Sequence, residues 1–159
     1  MSAEERGRLK RGQIGERVLR LEDGPLLAGA GTFAADWSFP DTLHMRVVRA
    51  SVAHGVITGI DTSAAEEMDG VIAVWTPAEV ADIPLIDFRA TKYTGLDPYK
   101  QPVLARERVR YVGEPVAVVF ADDPYTAEDA ANLVFVDIDE LPAITDATAD
   151  PVEFLPGHD

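Results

Sequence analysis

The sequence predicts an α+β fold built on a strand–helix–strand unit, and three observations carry that reading. Val116 to Phe120 is an unbroken apolar run, the mark of a strand covered on both faces. Asp122 and Asp123 can cap a helix that Pro124 opens. Ala127, Ala130, Ala131 and Val134 then recur at helical spacing as a small-residue stripe that can sit close on a sheet. The period next shifts to two, with Val134, Val136 and Ile138 facing one way and Asp137 and Asp139 the other, until Pro142 ends the run.

The remaining elements follow in order. Residues 1–13 read as a flexible basic leader. Residues 14–23 lead into Gly24-Pro25, a turn signal. Gly29-Ala30-Gly31-Thr32-Phe33 lacks the third glycine, the preceding buried strand and the following helix of a nucleotide fingerprint, so it reads as a turn. Leu43, Met45 and Val47 alternate with His44 and Arg46 as a half-buried strand, and Val56, Thr58 and Ile60 form a second. Ser63 with Glu66 suits a capping box for a short helix carrying Ala64 and Met68 on one side, with Gly70 as its stop. Residues 70–75 read as a buried strand, and Thr76-Pro77-Ala78-Glu79 repeats the cap signals for another helix. Residues 84–108 are irregular and place Arg89, Lys92, Tyr93, Tyr99 and Lys100 in one loop, which is either a partner-docking loop or a mobile surface loop. Residues 147–159 carry no periodic pattern and read as a linker or tail.

Composition narrows the function classes. One domain is natural for 159 residues, and 47% hydrophobic content can bury a core. No apolar run approaches the ~18 residues of a membrane span, and the start lacks the apolar stretch of a signal peptide. The formal charge is −14, yet the first twenty residues hold Arg6, Arg8, Lys10, Arg11, Arg17 and Arg20, so the body is more acidic than the whole. Such a body repels phosphate backbones, which argues against nucleic acid as a partner. With no cysteine, disulfides, thiolate zinc sites and cysteine-held iron–sulfur clusters are excluded in this chain, which fits a cytoplasmic protein.

Two blocks carry a family resemblance. The first is Arg110-Tyr111-Val112-Gly113-Glu114-Pro115-Val116-Ala117, followed by Tyr125-Thr126-Ala127-Glu128-Asp129-Ala130-Ala131; the second is Ile60-Asp61-Thr62-Ser63-Ala64-Ala65 with Met68-Asp69-Gly70-Val71. Both resemble the a/b hammerhead domain at the front of the large subunit of molybdenum hydroxylases, the family of xanthine dehydrogenase, aldehyde oxidase and the aerobic carbon monoxide dehydrogenase large chain. Arg20-x-Glu22-Asp23 and Leu27-x-Gly29-x-Gly31-x-Phe33 resemble the lead-in segment of the carbon monoxide dehydrogenase branch. The resemblance implies an a/b hammerhead over residues 14–146, with a mixed sheet and short helices. It also implies that molybdopterin, iron–sulfur clusters and FAD belong to the complete enzyme and bind outside this chain. Its partners would be the molybdopterin-binding large-subunit domains or subunit, with FAD and iron–sulfur subunits beyond them.

The residues themselves supply few candidates for chemistry. No nucleophile elbow and no pair of histidines at metal spacing occurs, so no catalytic, cofactor-binding or metal-ligating residue is assigned. Asp122 with Asp123 reads as helix capping, and Asp137, Asp139 and Glu140 as the wet face of a strand. Pro115 restricts Glu114 to extended geometry, so this carboxylate can accept backbone N–H groups or an arginine from elsewhere. Arg110, Tyr111, Gly113, Glu114, Pro115 and His54 are therefore the structural or interface candidates, with an active-site base the alternative for Glu114. The functional expectation is a structural and docking domain, or a split subunit, of a molybdopterin-dependent oxidoreductase, inactive alone. The alternatives are a free-standing interaction module that kept the fold without the enzyme, and a small enzyme using Glu114 or His54.

Overall fold

The computed structural model describes residues 19–89 and 95–150. The leader over residues 1–13, Lys92 and Tyr93 of the irregular loop, and the end of the tail lie outside the described residues. Contacts divide the chain after Pro40.

In the first part, α1 (Asp23–Leu27) is a five-residue helix with no buried residue. It includes Gly24-Pro25, where the sequence suggested a turn; proline is tolerated there because the first helical turn has no carbonyl partner for its missing N–H. Phe33 N–H donates to Asp36 Oδ2 at 2.8 Å, closing a short 3₁₀ turn at Ala34–Asp36.

The second part holds two three-stranded antiparallel sheets. One has the order β1 (His44–Arg49), β5 (Pro115–Ala121), β3 (Val71–Trp75); the other has the order β4 (Arg108–Val109), β2 (Gly55–Asp61), β6 (Phe135–Glu140). The strand–helix–strand unit is present as β5, α3 (Pro124–Ala131) and β6, and it passes from one sheet to the other, so neither sheet is mixed. β5 is central, and Val116, Ala117, Val118 and Val119 are all buried, as an apolar run without alternation requires. The side chain of Asp123 caps α3, accepting from the N–H of Tyr125 at 2.8 Å and Thr126 at 3.2 Å. Ala127 and Ala130 are buried, and Ala130 joins Ala117, Val119, Val74 and Val134 in the main core. A second cluster, Ala50, Ala105, Val109 and Val116, packs with Ile57 and Ile138. Full burial of each such valine contributes about 1.5–3 kcal/mol.

Several local expectations are corrected. β2 bulges between Ile57 and Gly59, so Ile57 and Ile60 both reach the core while Thr58 is exposed; the simple alternation of Val56, Thr58 and Ile60 fails for that reason. Leu43 and Met45 are exposed, and the half-buried Val47 and Val48 make the core contacts of β1. Ala65, not Ala64, is buried beside Met68 on α2 (Ser63–Glu66). That helix starts one residue earlier than the expected box: Thr62 is its N-cap and its hydroxyl donates to Glu66 at 2.7 Å, while Ser63 donates twice to Asp61. β3 is an edge strand with Ile72 and Trp75 exposed. The Thr76–Glu79 signals close a hydrogen-bonded turn without a helix: Glu79 accepts from the Thr76 N–H at 2.6 Å and its hydroxyl at 2.7 Å.

Candidate functional site

The six candidates gather at two places. Arg110 to Pro115 forms a tight turn leading into β5. Tyr111 O accepts from Glu114 N–H at 3.2 Å, and Gly113 holds φ +86°, a left-handed value that an L side chain adopts only with strain. Arg110 and Glu114 are thereby brought together. Glu114 is 2% exposed and is the buried charged side chain among the described residues. Its Oε2 accepts from the Arg110 N–H at 2.6 Å, and its Oε1 accepts from Arg110 Nε at 3.0 Å and Nη2 at 2.5 Å. The expected arginine partner is thus real, but it comes from four residues upstream rather than from elsewhere in the chain.

The turn is stapled to the end of β1. Ala50 N–H donates to Glu114 O at 2.9 Å and Gly113 N–H donates to Ala50 O at 2.8 Å, while Arg49 Nη1 donates to Gly113 O at 2.8 Å. Ala105 N–H donates to Pro115 O at 2.8 Å. The roles of Ala50, Arg49 and Ala105 carry no local sequence signal, because each partner lies at long separation. Tyr111 and Val112 stay exposed at the tip.

His54 lies apart from this turn in the sequence and has its own tie. Its Nδ1 lies 3.3 Å from Pro142 O, and its carbonyl accepts from Leu141 N–H at 2.9 Å, which fixes the end of β6. Lys100 of the irregular loop is held by Asp97 at 2.7 Å and Asp87 at 3.2 Å. These carboxylates, Asp97 foremost, raise its pKa above the ordinary lysine value. The same loop closes an antiparallel bridge between Ile86 and Gln101 and buries Leu104. Arg46 pairs with Glu128 of α3. Among the described residues no three His, Asp or Glu side chains converge to hold a metal ion, and no helix is long and apolar enough to cross a membrane.

A carboxylate whose oxygens are filled by its own arginine side chain and backbone N–H has a fixed geometry and no reacting partner among the described residues. The class this defines is a small α+β scaffold whose best-built polar site is internal. The family model described as aldehyde oxidase and xanthine dehydrogenase, a/b hammerhead domain, matches residues 28–142, and this chain belongs to that family. It is 41% identical to the 6-hydroxypseudooxynicotine dehydrogenase complex subunit gamma of Paenarthrobacter nicotinovorans, over 91% of this chain and 19% of the relative. It is 39% identical to the carbon monoxide dehydrogenase large chain of Hydrogenophaga pseudoflava, over 82% of this chain and 16% of the relative. Among solved structures it is similar to quinoline 2-oxidoreductase from Pseudomonas putida 86, with TM-score 0.72 and 40% identity over 86% of this chain and 17% of that one. The chain spans less than a fifth of the length of these relatives.

Proposed function

We propose that this chain is the structural and docking part of a molybdopterin-dependent oxidoreductase of the xanthine dehydrogenase family and turns over no substrate alone. The observation that carries the reading is the family match over residues 28–142 of a chain so much shorter than its relatives. The geometry supports it. Glu114, the one buried carboxylate among the described residues, is occupied by Arg110. His54 bonds to backbone.

Molybdopterin, iron–sulfur clusters and FAD then belong to companion domains or subunits. The described residues do not fit the metal of such a group: no ligand set converges among them, and the sequence has no cysteine for a cluster. We take residues 14–146 as the hammerhead, 1–13 as its leader and 147–159 as the linker, in a cytoplasmic enzyme. The test is affinity purification of the tagged chain from its host, with molybdenum measured on what is retained. Recovery of a molybdenum-bearing polypeptide, with turnover in the assembly and none in the isolated chain, is expected. Turnover by the isolated chain overturns the reading; so does a chain retained without any molybdenum protein, the outcome for a free-standing module.

A further inference from the structure

We draw no further inference here: the strongest candidate, the exposed apolar face of the β1-β5-β3 sheet around Met45, Ile72 and Trp75, carries nothing, because nothing in the structure shows what covers it.

Discussion

Removing the Glu114 carboxylate, as in Glu114→Ala, leaves three N–H groups without an acceptor: the Arg110 backbone N–H, Nε and Nη2. The Arg110 side chain is 13% exposed, so little water can replace the lost acceptor. Breaking a buried ion pair by deleting one member costs about 3–5 kcal/mol. With a urea slope of about 2 kcal/mol per molar, that moves the unfolding midpoint down by roughly 1.5–2.5 M. Equilibrium urea unfolding followed by circular dichroism reads the change directly. The companion Arg110→Met should be destabilising too, because it strands the buried carboxylate. The double variant strands neither charge, only the Arg110 N–H, and should lose less than the sum of the singles by about 1–3 kcal/mol. A loss under about 1 kcal/mol for Glu114→Ala, or strict additivity in the double variant, refutes the claim that this pair holds the turn.

Three further outcomes are expected. Asp123→Ala removes the acceptor for the first N–H groups of α3 and should cost about 0.5–2 kcal/mol, measured in the same assay. Gly55→Ala would place a Cβ 2.4 Å from Ile138 Cγ2 and 2.9 Å from Asp139 O, so β2 and β6 must separate; amide exchange should rise selectively along β6. The Thr76 hydroxyl, and then the Thr76 N–H, hold Glu79 below the ordinary carboxylate range. A depressed folded-state pKa gives a stabilisation present above the unfolded value and lost as pH falls through the folded one. The Thr76–Glu79 turn should therefore loosen only in acid, below the ordinary glutamate range, as read from the Thr76 amide resonance across a pH titration.

The local elements were legible because their causes are local. The Asp123 cap, Pro124 at the first turn, the alanine stripe of α3 and the period-two acids of β6 act within a few residues, and each stands where the pattern placed it. The family membership was legible for a related reason: the Arg110–Ala117 and Ile60–Val71 blocks make a local turn and a local helix cap in this chain, and both lie within the residues the family model matches. The candidate site was half legible. Pro115 and Gly113 announced a constrained Glu114, but its partner could be found only once the turn had folded Arg110 back over it and Ala50 had stapled the turn in place.

Register, and the buried faces of β1 and β2, belonged to the tertiary structure. Met45 and Val47 are equivalent by alternation, yet only Val47 meets Val80 and Leu104, which arrive from distant loops. Thr58 looks like an ordinary strand residue until pairing with β6 inserts it as a bulge and turns both Ile57 and Ile60 inward. Thr76 to Glu79 carries every helix-start signal, and the chain still makes only a turn there. Nearest-neighbour hydrogen bonds and side-chain periods are encoded residue by residue. Which face is buried depends on partners far along the chain, and their position is decided only when the two sheets close on a shared core.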